Sequence, residues 1–305
     1  NISSTQNLTD KHFLNHFSSN SKEMKFIECP RDAMQGIGTF IPTYKKISYI
    51  NKLLQVGFDT IDVGSFVSKN AIPQMVDTEE VIKGINVTNS NSKLLTIVAN
   101  ERGAEKAAQF DEITYLGFPF SISETFQKKN INSTIKESLL RLESIQNICV
   151  KSNKQLVTYF SMAFGNPYGD EWSVYIVAHW AERLLNEFGV KILSLSDTIG
   201  SSEPNVISWL FKKLISEFPD VEFGAHLHTH PQNWKDKVIA ALEAGCKRFD
   251  GALLGFGGCP MARDELVGNM PSEHILQYLI EKKMIRNISQ TALEEAQNEA
   301  LTIFI

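Results

Sequence analysis

The chain has 305 residues, enough for two domains or one large α/β domain at about 100–200 residues each, and a core of that size needs no disulfide support. Hydrophobic residues make up 43% and charged residues 21%, proportions of an ordinary soluble globular protein that exclude disordered, collagen-like and low-complexity classes. Lys and Arg total 30 against 35 Asp and Glu, so a net charge of -5 leaves no basic surplus for a nucleic-acid backbone; no nucleic-acid partner is expected, and a small molecule is.

The polar opening, residues 1–22, reads as an N-terminal extension ahead of a single domain over 23–305. It lacks the continuous apolar core of a signal peptide, and no apolar run reaches the roughly 18–20 residues of a membrane span. Cys29, Cys149, Cys246 and Cys259 are scattered and never form a C-x-x-C pair, which fits a reducing compartment. A cytoplasmic location without membrane association is expected, although a start at Asn1 leaves room for a lost organelle-targeting segment.

From Lys25 onward, short β-branched and aromatic runs alternate with segments of helical period. Eight strands are expected: Lys25–Cys29, Thr60–Phe66, Leu94–Asn100, Glu112–Phe118, Leu156–Phe164, Lys191–Asp197, Glu222–His228 and Arg248–Gly255. Between them lie amphipathic segments such as PTYKKISYINKLLQVG and SVYIVAHWAERLLNEFG, several closed by a glycine (Gly57, Gly189, Gly245) as a helix end requires. Eight βα units with no glycine-rich phosphate fingerprint after the first strand predict an α/β fold, a (β/α)8 TIM barrel, over a doubly wound sheet. PSEHILQYLIEKK closes the count, and SQTALEEAQNEALTIFI is an additional C-terminal helix.

In such a barrel the active site lies where the strands end. After the first strand, Arg31 and Asp32 pair a permanent cation with an anionic oxygen; alone, that dipeptide reads more readily as a surface ion pair in a loop. Asp62 and Ser65 lie in the second strand. Asp197 closes the sixth, where it projects into the mouth as acid, base or orienting group, or else caps the following helix; Glu203 and Pro204 mark that helix start better, which favours a site role. His226 and His228, two apart in the seventh strand, share a face, so they either bind one metal ion or serve as hydrogen-bonded core residues. His230, followed by Pro231, is expected beyond the strand and pointing into solvent. Cys259 follows Gly255, Gly257 and Gly258, a backbone able to carry a thiol in and out of a site. Cys149 and Cys246 read as inert helix-side thiols, whereas Cys29, within two residues of Arg31, stays open.

Taken together, IECPRDAMQG, DVGSFVSKNAIPQM, SLSDTIG, AHLHT and GFGGCPMARDELVGN resemble, in order and barrel position, the segments of 3-hydroxy-3-methylglutaryl-CoA lyases, over roughly residues 25–285. The resemblance implies a divalent-metal-dependent carbon-carbon lyase that cleaves 3-hydroxy-3-methylglutaryl-CoA into acetyl-CoA and acetoacetate. It implies Asp32, His226, His228 and Asn269 as metal ligands, Arg31 as stabiliser of the enolate and Cys259 as the thiol of the catalytic loop. Asp197 and Asp62 fall on family acids, the latter commonly Glu. Mixed oxygen and imidazole donors suit Mg2+ or Mn2+. Either His226 or Asp197 removes the first proton, and Cys259 returns one to carbon.

The chain departs from the family at Glu28-Cys29-Pro30, one residue shorter than E-x-G-P, and at Thr229, where the family carries Asp after H-x-H. Loss of a supporting acid of that kind weakens metal affinity by about 10–100-fold. The alternatives are a related metal-dependent aldolase or lyase acting on another 3-hydroxyacyl-CoA or a 2-oxo acid, and a non-catalytic barrel. Whether copies assemble into a homo-oligomer is open from sequence.

Overall fold

Extended β-branched runs, each followed by a helix with one apolar stripe, bury both partners by laying the helices around a parallel sheet. The computed structural model describes residues 24–258 and 267–305. The expected boundary between residues 22 and 23 therefore lies outside the described residues.

The strands are β1 (Lys25–Glu28), β2 (Thr60–Phe66), β3 (Lys93–Val98), β4 (Ile113–Ser121), β5 (Gln155–Ser161), β6 (Ile192–Asp197), β7 (Glu222–Thr229), β8 (Arg248–Gly251) and a two-residue β9 (Gly268–Asn269). Each of β1 to β8 is parallel to the next, and β8 pairs with β1, so the sheet closes into the eight-stranded barrel. Around it lie α1 (Pro30–Gln35), α2 (Thr43–Leu53), α3 (Thr78–Gly84), α4 (Glu101–Ala107), α5 (Glu124–Ile131), α6 (Ile135–Lys151), α7 (Val174–Asn186), α8 (Pro204–Glu217), α9 (Trp234–Glu243), α10 (Ser272–Glu281) and the additional C-terminal α11 (Gln290–Phe304). No helix among the described residues is long and apolar enough to cross a membrane.

The barrel has two apolar compartments. Leu95, Ile97, Tyr115, Val157, Tyr159 and Ile192 form a cluster of their own inside it, on alternate residues of β3 to β6. The much larger cluster lies between strands and helices.

Several ends differ from the sequence-based expectation. The third strand stops at Val98 because Asn100 caps α4, its side chain accepting from the Gly103 amide at 3.0 Å. The fifth stops at Ser161, since Met162 takes a left-handed φ of 59°. The eighth stops at Gly251. A Cβ at Gly251 would meet Ser272 Oγ at 2.8 Å and Met270 O at 2.9 Å, and the next amides turn away from the ladder. Leu253 N–H donates to Glu28 Oε1 and Leu254 N–H to Glu273 Oε2, both at 2.8 Å. The fourth runs on to Ser121, with Pro119 in register with Tyr159. Neither α1, which begins directly after Cys29, nor β9 was expected.

Candidate active site

At the carboxyl ends of β1, β2, β7 and β8, charged side chains converge at one end of the barrel. Pro30 at the first position of α1 fixes the turn, and Arg31 and Asp32 in that turn are both buried. Arg31 is held from two sides. Its Nε and Nη2 donate to Asp62 Oδ2 at 2.9 and 2.6 Å, and its Nη1 donates to Asp32 Oδ1 at 3.0 Å and to Gln35 Oε1 at 2.9 Å. Those four bonds among the described residues leave one of the five guanidinium donors.

Asp32 turns its other oxygen toward the histidines. Oδ2 accepts from Asn269 Nδ2 at 2.8 Å and lies 3.9 Å from His228 Nε2. Asn269 reaches it because β9 runs antiparallel to β7, placing Asn269 opposite His228. His226 and His228 share the inward face of β7, ring centroids 5.4 Å apart, as their spacing predicts. His226 Nδ1 lies 3.0 Å from Asp250 Oδ2, and His228 Nδ1 lies 3.1 Å from the Thr198 carbonyl. Each contact fixes one ring nitrogen as donor, which frees the other as a ligand. Donor atoms of Asp32, His226 and His228 lie within 4.8 Å of one another.

The electrostatics suit a cation. Burial alone would raise the Asp32 carboxyl, but Arg31, His226 and His228 outweigh it and hold it at about 2. Burial dominates at Asp62 and pushes it up to about 6 despite Arg31. Burial lowers His228, and the neighbouring His226 lowers it further, so its ring stays neutral. At His226 the bond and charge of Asp250 overcome burial and raise the ring. Two carboxylates around one guanidinium leave an excess of one negative charge when both are ionised. His228 Nε2 and Asp62 Oδ1 are buried with no hydrogen-bond partner among the described residues. A divalent cation beside Asp32 and His228 satisfies both the charge and the orphaned nitrogen, so the donor set fits one.

Asp197 does not meet the expectation of a group projecting into the mouth. Its oxygens accept from the Ser201 and Ser202 amides at 2.9 and 2.8 Å, and Oδ2 also lies 3.2 Å from Lys237 Nζ. It holds the loop after β6, whose Thr198 carbonyl orients His228, and it acts on that histidine from behind. Nor does it cap a helix, since α8 starts at Pro204 as expected. His230 lies past the strand as expected but is half-buried, where solvent exposure was expected. Cys259 lies outside the described residues. Of its glycine run, Gly257 is demanded by packing: at a φ of +85°, a Cβ there would sit 2.6 Å from Ala33 Cα and 2.7 Å from Asp32 O. This backbone lies over the site, and the Phe256 carbonyl accepts from Asn269 Nδ2 at 2.9 Å.

Three supporting residues escaped the sequence reading. Asp250 was legible, since it shares the inward face of β8 with Arg248 by strand alternation. Gln35, one turn beyond Arg31 in α1, was hidden with that helix. Lys237, buried in α9 with Nζ 3.0 Å from both the His228 and Gly200 carbonyls, gives no pattern signal.

The HMGL-like family model matches residues 24–299. The chain belongs to the HMGL-like family. A hydroxymethylglutaryl-CoA lyase of Bacillus subtilis is 35% identical to this HMGL-like chain over 257 residues, 84% of each protein. The crystal structure of the HMG-CoA lyase from Bacillus subtilis superposes with a TM-score of 0.85 at 32% identity, over 92% of this chain and 94% of that one. An HMG-CoA lyase from Acinetobacter baumannii, in complex with coenzyme A and 3-methylmalate, gives 0.84 at 29% identity, over 94% and 93%.

Proposed function

We propose that this HMGL-like protein is a carbon-carbon lyase that cleaves 3-hydroxy-3-methylglutaryl-CoA into acetyl-CoA and acetoacetate by a retro-Claisen reaction, with Mg2+ or Mn2+ as cofactor. The observation that carries this reading is the buried meeting of Asp32, His226 and His228 beside Arg31, in a chain 35% identical to a lyase over 84% of its length. The Acinetobacter baumannii relative, bound to coenzyme A, supports an acyl-CoA as the small-molecule partner. The three described cysteines are free, which accords with a cytoplasmic location.

Asp32 Oδ2, His228 Nε2, His226 and Asn269 would hold the ion, Asn269 through Oδ1 once its amide turns over. A bound ion would supply Lewis-acid polarisation of the substrate's tertiary hydroxyl and a neighbouring carbonyl oxygen. With Asp197 occupied by loop amides and Lys237, His226 is the remaining candidate for removing the hydroxyl proton; Asp250 then stabilises the imidazolium through Nδ1–H. The same Nε2 would serve the ion first and the proton second, since one lone pair cannot do both at once. Loss of the proton turns the carbinol into the ketone of acetoacetate, the C2–C3 bond breaks, and its electron pair passes to the thioester enolate. Arg31, pinned by Asp62, offers its remaining N–H to that oxygen without reorganisation. Cys259 returns a proton to the enolate carbon.

Acetoacetate release from 3-hydroxy-3-methylglutaryl-CoA, measured after chelation and again after return of Mn2+, tests the reading. Turnover should vanish and recover. Cleavage of 4-hydroxy-2-oxo acids or other 3-hydroxyacyl-CoA esters in its place would assign the same site to a different lyase.

A further inference from the structure

A second donor set lies against the first. Sγ of Cys29, at the end of β1, a ring nitrogen of His226 and a carboxylate oxygen of Asp250 all fall within 4.8 Å of one another. In register, Asp250 of β8 faces Ile27, so Cys29 lies two residues nearer the mouth on the same inward face. The plainest account makes Asp250 an orienting partner for His226 Nδ1 and Cys29 an inert buried thiol.

That account leaves three groups unexplained. Asp250 Oδ1 is buried without a hydrogen-bond partner among the described residues, although Oδ2 is used. The phenol oxygen of Tyr159, whose ring stands edge-on to His226 at 5.4 Å, is also buried and unpaired among them. Among the described residues the thiol of Cys29 reaches only the Ile27 carbonyl, at 3.9 Å. Buried polar atoms are normally satisfied, so an unpartnered Asp250 oxygen beside a thiol and an imidazole indicates a place for something that accepts their lone pairs.

The donor types specify what. One thiolate sulfur, one imidazole nitrogen and one carboxylate oxygen are the ligands of a tetrahedral, thiophilic ion, whereas Mg2+ takes oxygen. We propose that Cys29, Asp250 and Nδ1 of His226 form a second cation position, selective for soft divalent ions such as Zn2+ or Cd2+, and that filling it switches off the first.

The switch lies in the imidazole. Nδ1 now carries the ring proton toward Asp250, which leaves Nε2 free on the Asp32 side. An ion on Nδ1 takes the place of that proton, and in a neutral ring the proton moves to Nε2, which then neither ligates nor accepts. Cys29 releases its thiol proton to solvent as the sulfur binds. The deep ion is therefore an inhibitor that competes with the hard ion through a shared residue. The exclusion rests on the proposed metal role of Asp32, His226 and His228; the deep site does not.

Cadmium titration of the full chain tests both parts, read by the ultraviolet thiolate-to-cadmium charge-transfer band. A Cys259→Ser background removes the thiol that lies outside the described residues. One equivalent of Cd2+ should produce the band in that background, and Cys29→Ser added to it should abolish it. Asp250→Asn, which keeps every remaining thiol, should weaken the band and covers the case in which the Cys29 variant fails to fold. Mn2+ paramagnetic resonance in the same samples should report release of bound Mn2+ as Cd2+ is added, and none when Cys29 is Ser. No band in the Cys259→Ser protein, or a band that survives loss of Cys29, would overturn the deep site. A Cys29-dependent band with Mn2+ retained would overturn the exclusion alone.

Discussion

The two halves of the barrel interior use the same strand positions for opposite purposes. On β3 to β6 the inward residues are Leu95, Ile97, Tyr115, Val157, Tyr159 and Ile192, which fill space. On β7, β8 and β2 they are His226, His228, Asp250 and Asp62, with Cys29, Arg31 and Asp32 just beyond β1, and the Arg31–Asp62, Arg31–Asp32 and His226–Asp250 contacts lie among them. The apolar half makes a rigid wall at low cost, because apolar burial is favourable wherever shapes fit. The polar half is stable only in so far as its charges are paired, and its orphaned atoms, His228 Nε2 and Asp62 Oδ1, lie where a ligand would complete them.

Substitutions on the two sides should therefore fail in different ways. His228→Ala should abolish metal-dependent turnover and metal affinity and leave the unfolding transition in place. Calorimetric Mn2+ titration checks it, and unchanged affinity would remove His228 from the site. Arg31→Lys should cost about 2.7–4 kcal/mol of transition-state stabilisation, by analogy with a deleted oxyanion donor, since a compact ammonium cannot span Asp32, Asp62 and Gln35 together. Steady-state kinetics reads that loss, and a rate within about twofold of the parent, where tenfold is about 1.4 kcal/mol, would make Arg31 structural.

Leu95→Ala, on the apolar side, should lower stability by about 2–5 kcal/mol in urea unfolding through its cavity, yet leave Mn2+ affinity of the folded protein unchanged. A parallel loss of affinity would erase the distinction between the halves.

The sequence displayed that distinction unevenly. All eight barrel strands were visible from β-branched runs, and the H-x-H spacing placed both histidines on one face because strand period is fixed. What escaped depended on long-range contacts. The eighth strand looked longer than it is, since Leu253 and Leu254 are apolar; only the approach of Glu28 and Glu273 to their amides bends the chain there. Asp197 stood at the right strand end for chemistry, but whether it faces substrate or its own loop is decided by Lys237, forty residues on.

Lys237→Met should weaken Mn2+ binding by about 10–100-fold, the usual effect of losing a group that orients a metal ligand, because the Gly200 and His228 carbonyls lose their common anchor and the loop that carries the Thr198 carbonyl to His228 loosens. Unaltered affinity, measured by the same titration, would show that the loop orients itself.

The pH-dependent effect concerns Glu28. Burial, only partly offset by the bonds from Ser272 and Leu253, pushes its carboxyl up to about 8. An unfolded glutamate titrates near about 4.3, so between the two values the folded chain keeps a proton that the unfolded chain has released. This contribution to stability is present below about pH 4.3 and is lost as pH rises to about 8. Glu28→Gln should flatten the fall, which urea midpoints at about pH 5 and about pH 8 would read.

Asp32, His226 and His228 together should hold one divalent ion at the polar end of the barrel. A crystal soaked in Mn2+ and measured for anomalous scattering tests it most directly. A single strong peak is expected within bonding distance of Asp32 Oδ2 and His228 Nε2, with the Asn269 amide turned toward it. A peak elsewhere, or none between Asp32 and the two histidines at saturating Mn2+, would contradict it.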